Sequence, residues 1–573
     1  MPRLALLATL ACLLTSAAAV AGPRDELLRL APADSALILV VQNAGRHAED
    51  LAASPFAEWF PTTAVGKKLL DSPELKQFGA AGASVFAALG TTPRELLRDV
   101  LGDAVAFAYS PPAGREGAER ALLLIRPGKR EALEKLVEKL NDLQSQGGEV
   151  KKVEERRHAD ATYFARETAG GGSQFYCFRG DVFAFSTSED DVRAFIARDK
   201  TVAPAAEKEP ALVGRMKELG VADAAAVLLV NPRALDAEVR AHAAAAGPDA
   251  RRFLAKFEEV WKCIDSAAVY LALGDRAEVG VSLRFRGKDL PDDARKFLAG
   301  LRGPAAAEAL IPADAMFGAA GHWRAAELLD FVEGLAPGPA GVREWLQHTV
   351  GPVVGREEWP LVLDALGPNW AVWAAPPQKG AFLPTVVAAV ELTGPDRARA
   401  EAAAAEGLRT AFALAMVTYN ASHPAADQIK IAQEKDPKSG VLIRSMVNDA
   451  GFPPGFRPSF AVRGSYLVLA THPDAILRFD PEPAAPEADG PRTLARFSGT
   501  RSREYLRANG EKLAKFLHDL GAGNEAELKN QIDGIADVLE LIDAAELVAR
   551  ARDDSLRVAI RVTPAKPLKP VAK

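Results

Sequence analysis

Apolar segments of strand length recur along this chain in pairs that are joined by turns. One pair spans residues 104–109 and 120–125, and another spans residues 370–375 and 385–392. Two apolar runs separated by a connection rich in Gly or Pro are the pattern of a β-hairpin. The chain is therefore expected to contain antiparallel strand pairs.

Helical segments interrupt these hairpins instead of alternating strictly with single strands. The second strand of each pair leads through a turn into a helix, at residues 129–140 and 396–411. This order favours an α+β fold of mainly antiparallel sheets flanked by helices over a doubly wound parallel sheet. A strand–helix–strand crossover around each helix further predicts a ferredoxin-like element.

The pattern as a whole occurs twice. Four anchors of the first half return in the second half in the same order, with offsets of 280, 286, 284 and 278 residues. The anchor pairs are Pro32 and Pro312, Trp59 and Trp345, Gly180 and Gly464, and Ile264 and Ile542. A nearly fixed long period is typical of internal repeats. We therefore expect two tandem, structurally similar modules.

The repeated pattern also places the domain boundaries. The predicted units are a signal peptide at 1–21, module one at 22–287, an inter-module connection at 288–308, module two at 309–563 and a disordered tail at 564–573. Pro- and Glu-rich linkers at 200–210 and 480–491 divide the modules into subdomains at 22–199, 211–287, 309–479 and 492–563. Modules of roughly 270 residues match the size at which a single hydrophobic core stops growing.

The first residues have the composition of a secretory signal. Arg3 precedes an apolar run from residue 4 to residue 14, and Ala19-Val20-Ala21 has the small-residue pattern of a cleavage site. The apolar run is shorter than the about 20 residues that a bilayer span needs. Export to the periplasm or beyond is therefore expected in preference to a membrane anchor, and no later segment predicts a membrane span.

Charge and cysteine content narrow the possible partners. The formal net charge is −6 over 573 residues, with acidic and basic residues interspersed. Nucleic-acid binding needs clustered Lys and Arg, so nucleic acid is not expected as a partner. After signal removal only Cys177 and Cys263 remain. They could form one disulfide or stay as two buried thiols.

No segment has the spacing of a known catalytic, cofactor or metal motif. The eight histidines include no pair at the i, i+4 spacing of a helical metal site, and the chain has no Walker loop and no G-x-S-x-G sequence. Paired acids such as Asp292-Asp293 fall at predicted helix starts, where the helix dipole favours them. We therefore predict no catalytic, cofactor-binding or metal-binding residues and no cofactor.

Tryptophan is distributed unequally between the modules, with five of seven residues in module two. Trp323, Trp345, Trp370 and Trp373 are candidates for a ligand surface, either an apolar groove or a sugar-binding groove. Trp370 and Trp373 stand three positions apart on a predicted strand, so their side chains are expected on opposite faces. Packing in the core is the competing interpretation of these residues.

Several of these features together resemble one protein family. The Pro-Ala-Asp opening before an apolar strand, the Leu-Gly-Asp/Pro turn before a strand and the Arg-Gly hairpin before a capped helix are similar to exported bacterial proteins of domain-of-unknown-function family 3352. The resemblance covers residues 27–285 and 310–562. It implies export and an α+β fold, and it supplies no catalytic residues.

Three functions are compatible with the sequence. The first is a non-catalytic protein of the cell envelope that binds or scaffolds an unknown protein or ligand, because structural signals are repeated while reactive groups are not. The second is a hydrolase with a site between the modules, around His322 and the tryptophans of module two. The third is an apolar-ligand carrier, suggested by the Ala- and Leu-rich helices and tested by the presence of a continuous apolar cavity.

Overall fold

A computed structural model describes residues 22–112, 119–201, 210–302, 306–335, 342–482 and 491–570. The predicted signal peptide, residues 202–209 and 483–490 of the predicted linkers, and residues 571–573 of the predicted tail lie outside these ranges. The described residues form helices and antiparallel strands, which confirms the predicted α+β class.

The strands fall into two sets of ten. Those of the first half are β1 (Leu37–Gln42), β2 (Ala104–Ser110), β3 (Arg120–Arg126), β4 (Val150–His158), β5 (Ala161–Thr168), β6 (Ser173–Arg179), β7 (Val182–Ser186), β8 (Ala226–Val230), β9 (Ile264–Leu273) and β10 (Ala277–Phe285). Those of the second half are β11 (Phe317–His322), β12 (Leu366–Ala375), β13 (Thr385–Leu392), β14 (Lys430–Lys435), β15 (Leu442–Val447), β16 (Ser459–Arg463), β17 (Tyr466–Ala470), β18 (Arg492–Ser498), β19 (Ile542–Ala551) and β20 (Ser555–Pro564).

Helices connect the strands in both halves. The helices up to the end of β10 are α1 (Pro23–Leu30), α2 (Ala44–Ala52), α3 (Pro55–Trp59), α4 (Ala64–Leu70), α5 (Pro73–Leu89), α6 (Pro93–Glu95), α7 (Arg130–Gln146), α8 (Glu189–Thr201), α9 (Ala211–Glu218), α10 (Asp236–Ala245) and α11 (Pro248–Cys263). The remaining helices are α12 (Asp292–Arg302), α13 (Ala306–Ala309), α14 (Ala325–Leu335), α15 (Val342–Thr349), α16 (Gly351–Val354), α17 (Glu358–Ala365), α18 (Arg397–Asn420), α19 (Pro473–Arg478), α20 (Gly499–Asp519) and α21 (Glu525–Leu539).

Antiparallel pairing joins the described strands into one continuous sheet. From edge to edge the order is β4-β5-β6-β7-β3-β2-β1-β8-β9-β10-β20-β19-β18-β11-β12-β13-β17-β16-β15-β14. Adding ten to each strand number of the first half gives the order of the second half, read inward from the opposite edge. The two halves meet where β10 pairs with β20.

The register of the strands is the same in the two halves. One row of paired residues in the first half is Tyr176, Phe185, Leu123, Phe107, Leu39, Leu228, Val269 and Val281. The matching row of the second half is Phe460, Leu469, Ala388, Val372, Ala319, Ala495, Leu547 and Ile560. At the junction Gly280 pairs with its own counterpart, Ala559. A local two-fold relation therefore passes between these two residues.

Helices cover the two faces of the sheet differently. We call the face that carries Val281 and Ile560 the front face, and the opposite face the back face. On the back face, α1, α8 and α9 pack against the first half, and α13 and α19 pack against the second. On the front face, α7 and α18 pack over the outer strands of the two halves. The central strands lie between these two front-face helices.

The predicted hairpins are confirmed, whereas the predicted ferredoxin-like element is wrong in its size. β2 pairs with β3, β6 with β7, β12 with β13 and β16 with β17. In a ferredoxin-like unit one strand lies between the two strands that the crossover helix joins. Here the helix α7 joins β3 to β4, and the three strands β5, β6 and β7 lie between them, because β4 to β7 form a meander that returns to β3.

The predicted boundaries do not separate independent sheets. β1 pairs with β8, so the predicted subdomains at 22–199 and 211–287 share strand pairing, and β11 pairs with β18 in the same way in the second half. In the predicted tail, β20 extends to Pro564, and the carbonyl of Pro567 accepts a hydrogen bond of 3.2 Å from the Phe56 N–H on α3. Residues 564–570 therefore lie against the first half.

Membrane-spanning helices were also looked for. Within the described ranges, none of the helices combines the length and the apolar character that crossing a bilayer requires.

Candidate functional site

The two central strands, β10 and β20, alternate between apolar and polar positions. Their front-face residues are Ala277, Val279, Val281, Leu283, Leu556, Val558, Ile560 and Val562. Their back-face residues are Glu278, Gly280, Ser282, Arg284, Arg557, Ala559, Arg561 and Thr563. An antiparallel sheet with this alternation is expected to pack its apolar face on a core and to leave its polar face in water.

The apolar side of these strands is nevertheless open. Val279 and Ile560 face each other across the junction, and 52% and 55% of their surfaces are exposed. Other exposed apolar residues on the front face of neighbouring strands are Leu39, Phe107, Val269, Val281 and Phe317. We call these seven residues, with the partly buried Leu228, Leu271, Leu547 and Val558 between them, the central apolar face. Contiguous exposed apolar patches of this kind mark binding surfaces more often than ordinary protein surface.

The rows of residues that cross this face carry no charge. One row is Phe107, Leu39, Leu228, Val269, Val281 and Val558, and the next is Val41, Ala226, Leu271, Val279, Ile560 and Leu547. A hydrogen-bonding or ionic ligand would find no side-chain partner along these rows. Their chemistry suits a ligand that has an apolar body.

Helices of the two halves meet at both ends of the central strands. At one end α4 contacts α21, close to the hydrogen bond between Phe56 on α3 and Pro567. At the other end α11 contacts α14, and three stacked aromatic rings follow α11, those of Phe253, Phe257 and Trp261. The central apolar face is thus a floor between two helical ends, and this shape admits a slender chain more easily than a flat protein surface.

A polar cluster on the back face holds the junction together behind this floor. The Tyr270 hydroxyl donates to Glu278 Oε1 at 2.6 Å, and Arg557 Nη2 and Arg561 Nε donate to the two oxygens of the same carboxylate at 2.9 and 2.7 Å. Burial opposes ionisation of Glu278, but the hydrogen bonds from Tyr270 and Arg561 outweigh it and lower its pKa. Burial and the bond to Glu278 raise the pKa of Tyr270 to about 12. The cluster therefore joins the halves through a permanently ionised carboxylate at neutral pH.

Two of the four candidate tryptophans lie together. The rings of Trp323 and Trp370 stack with centroids 6.4 Å apart, and Trp323 stacks in turn on Phe297 at 5.4 Å. Phe297 also stacks on Phe331 of α14 at 4.4 Å. Trp370 is on the front face of β12, so this aromatic stack adjoins the central apolar face on the side of the second half.

The other two candidate tryptophans lie elsewhere. Trp373 points to the back face, as its spacing from Trp370 predicts, where it is buried and stacks on Phe479 at 6.2 Å. Trp345 lies on α15 and is 59% exposed. The four residues therefore do not form one surface: Trp373 belongs to the core, and Trp345 stands alone on a helix.

His322, the residue considered for a hydrolase, contacts an amide and not a nucleophile. Its Nδ1 lies 2.8 Å from Asn369 Oδ1, and Asn369 Nδ2 donates to Glu391 Oε2 at 2.7 Å. A hydrolytic histidine needs a hydroxyl, thiol or water within hydrogen-bond reach. Among the hydrogen bonds of the described side chains, His322 has none to a Ser, Thr or Cys. This arrangement orients the ring without offering a reacting group.

The cysteines and the acidic residues do not form a reactive site either. Cys177 and Cys263 are both buried, and no disulfide joins them. The Cys263 thiol lies 2.9 Å from the Asp289 carbonyl, and burial raises its pKa, which keeps it protonated. Over the part of the chain that the structure describes, no group of three or more His, Cys, Asp or Glu side chains has a geometry that could hold a metal ion.

The larger cavities are lined mainly by polar residues. A cavity of about 340 Å³ has Arg24, Asp25, Asp103 and Asp223 in its wall. A second, of about 420 Å³, is lined by Gln378, Lys379, Asp474, Leu477 and Arg478. The apolar surface expected of a carrier is instead the open front face of the sheet.

The central apolar face was missed by the sequence analysis, although one signal for it was present. The alternation in residues 277–285 and 555–562 is visible in the sequence, but it is the same whether a helix covers the apolar side or not. Comparison with family models, with curated proteins and with solved structures gave no match to this chain. The resemblance to family 3352 therefore stays a prediction.

Proposed function

We propose that this protein is an exported, non-catalytic binding protein of the cell envelope that holds an apolar ligand against the central apolar face. The observation that carries the proposal is the exposure of Val279 and Ile560 in the middle of a twenty-stranded sheet. Covering such side chains stabilises a complex by about 25 cal/mol for each Å² of apolar surface removed from water. A ligand that covers both faces of the junction uses surface that the fold itself leaves open.

The shape and chemistry of the face favour a lipid acyl chain as the ligand. The uncharged rows cross seven neighbouring strands from β2 to β19, which at about 4.8 Å per strand is a path of roughly 30 Å. A long apolar chain matches such a path without needing polar partners along it. The aromatic stack of Trp323 and Trp370 borders the path on the side of the second half, where flat rings suit contact with an apolar chain.

We also infer that the chain arose by duplication of one module. The two halves share strand order and cross-strand register, and the sequence anchors recur at offsets close to 280 residues. Pairing of β10 with β20 sets the two front faces side by side. A duplicated module would thus double the width of its apolar floor by joining its own edge strand to a second copy.

Binding of a fluorescent long-chain fatty acid tests the proposal. The test variant replaces Val279 and Ile560 together by threonine, which keeps the β-branched shape that strands favour and changes a methyl group into a hydroxyl. We expect probe affinity to fall by about tenfold, the equivalent of about 1.4 kcal/mol. Thermal unfolding should change little, because both side chains are more than half exposed.

A matched variant controls for loss of any exposed apolar residue. Leu414 and Val417 on α18 are 59% and 60% exposed and lie away from the front-face rows. Their joint replacement by threonine should leave probe affinity unchanged. Equal loss of affinity in both double variants, or no loss in the strand variant, would overturn the proposal.

A further inference from the structure

Helix α5 exposes apolar residues where a surface helix is normally polar. From Phe78 to Leu89 its sequence is FGAAGASVFAAL, in which Ser84 is the one polar residue. Gly82, Phe86 and Leu89 lie on one stripe and are partly buried, and this stripe is the side that meets the protein. The other sides, which carry Ala80, Ala83, Val85 and Ala87, are exposed, and Val85 reaches 57%.

The glycines of α5 show how little covers it. A Cβ built on Gly79 would meet nothing within 4 Å, and one built on Gly82 would meet a single atom, on Phe86 of the same helix. α5 contacts its neighbours α4 and α7. The helix therefore rests on the protein by one edge, and most of its apolar circumference has no partner in the chain.

The breadth of the exposed apolar arc indicates what occupies it. A protein partner covers one stripe of a helix, whereas a helix that is apolar over most of its circumference is suited to immersion in an apolar medium. Twelve residues at 1.5 Å per residue give about 18 Å, too short to cross a hydrocarbon layer of about 30 Å. A segment of this length and composition fits the interface of a lipid bilayer, lying in it without spanning it.

The charges next to α5 complement an anionic lipid surface. Lys67 and Lys68 on α4 and Lys76 in the first turn of α5 are exposed. Asp71 and Glu74 are the acids between residues 64 and 89, so this segment has a net charge of +1 while the whole chain has −6. Lysines beside an apolar helix attract anionic headgroups by roughly 1 kcal/mol each near the surface. The acidic remainder of the protein would be repelled, and this difference favours approach by the α5 side.

The helix is also an addition to the first half. Between Trp59 and Gly102 the chain advances by 43 residues, whereas between their counterparts Trp345 and Gly367 it advances by 22. The excess matches the length of α5 with its turns. α5 follows α4, which contacts α21 at one end of the central apolar face. The added helix thus stands beside the entrance to the proposed ligand surface.

We propose that α5 docks this protein on a lipid bilayer, with its apolar circumference in the interface and Lys67, Lys68 and Lys76 against anionic headgroups. This inference deepens the proposed function, because it places the acyl-binding face next to a source of acyl chains. It rests on α5 alone for the docking step. Failure of docking would therefore leave the ligand-binding proposal standing.

Flotation of the whole mature chain with lipid vesicles tests the docking. Vesicles of phosphatidylethanolamine and phosphatidylglycerol at 3:1 are compared with vesicles of phosphatidylcholine. We expect the wild-type protein to float with the anionic vesicles and the double variant Ala83→Glu/Ala87→Glu to lose at least tenfold in binding. Glutamate is a good helix former, so the helix is kept while its apolar arc is broken.

Two further arms separate this inference from its alternatives. Ala402→Glu/Ala415→Glu, at exposed positions of α18, should bind vesicles as the wild type does. Lys67→Gln/Lys68→Gln/Lys76→Gln should reduce binding to the anionic vesicles alone. If the α5 variant floats unchanged, or if sedimentation shows that it only dissociates a dimer of this chain, the docking proposal is overturned. Fatty-acid probe binding that is unchanged in the same variant keeps the two proposals distinguishable.

Discussion

The two halves of the sheet fill their back-face cores in opposite ways. In the first half the strand β2 carries small residues, Ala104, Ala106 and Ala108, and α1 packs Leu27 and Leu28 against them. In the second half the large residue is on the strand. Trp373 of β12 stands at the register position of Ala108, and the short helix α13, with sequence AAEA, packs in the same cluster.

This exchange shows which properties of the two halves are fixed. Strand order and register are the same, while the volume that fills the core moves between strand and helix. Interiors are close-packed, so a large side chain on one element requires a small one on its neighbour. The halves therefore share a scaffold but not a set of interchangeable side chains, and the features proposed to act, α5 and the Trp323 stack, occur in one half each.

The largest expected effect comes from removing the strand residue that distinguishes the second half. Trp373→Ala would leave a cavity in a buried cluster and should lower the free energy of unfolding by about 3–5 kcal/mol. Trp345→Ala removes a side chain of the same size that is mostly exposed and should change stability by about 0.5 kcal/mol or less. Urea unfolding of both variants checks the pair. Similar losses would contradict the placement of these tryptophans.

The next effect concerns the junction at which the halves meet. A Cβ on Gly280 would lie 2.5 Å from the Tyr270 hydroxyl and 2.6 Å from its ring. Gly280→Ala should therefore cost about 2 kcal/mol by overpacking. Gly274→Ala is the control, because its Cβ would meet nothing closer than 3.9 Å. Equal unfolding midpoints for the two variants would show that β10 is not packed against Tyr270.

A smaller effect should follow from neutralising the carboxylate that links the halves. Glu278→Gln leaves Arg557 and Arg561 without their shared anion, and Arg557 would keep its contact with the Tyr270 ring, 4.4 Å away. Because the arginines are partly exposed, solvent screening limits the loss to about 1–2 kcal/mol. Chemical unfolding at pH 7 measures it. A stability equal to that of the wild type would remove this cluster as a link between the halves.

The pH dependence of this carboxylate gives the smallest effect. The folded pKa of Glu278 lies below its ordinary value of 4.5, so its stabilising contribution is complete above that value. The contribution is lost as the pH falls through the lowered folded pKa, because the unfolded chain binds the proton first. The wild type should thus lose more stability than Glu278→Gln between pH 6 and acid pH. Parallel curves for the two proteins would contradict the assignment.

Local features of this fold could be predicted from sequence, and non-local ones could not. The hairpins, the helices after them and the opposite faces of Trp370 and Trp373 follow from residue patterns over a few positions. The pairing of β10 with β20 joins residues about 280 positions apart, and no local pattern encodes it. For the same reason the analysis predicted two modules but not one shared sheet.

The candidate site was out of reach for a related reason. Alternation in β10 and β20 indicates an apolar side, but whether a helix covers that side depends on where α7 and α18 pack. α5 was read only as part of a helical region, since its apolar sequence is equally compatible with a buried helix. The tryptophans were visible by count, and their partners Phe297 and Phe331 were not.

Photo-crosslinking with a diazirine-bearing long-chain fatty acid tests the central claim most directly. The whole mature chain is irradiated with the probe, and the modified peptides are identified by mass spectrometry. The account predicts that labels concentrate on β9, β10, β19 and β20, at Val269, Val279, Val281 and Ile560, and that excess unlabelled fatty acid removes them. Labels confined to exposed helices such as α18, with none on these four strands, would contradict it.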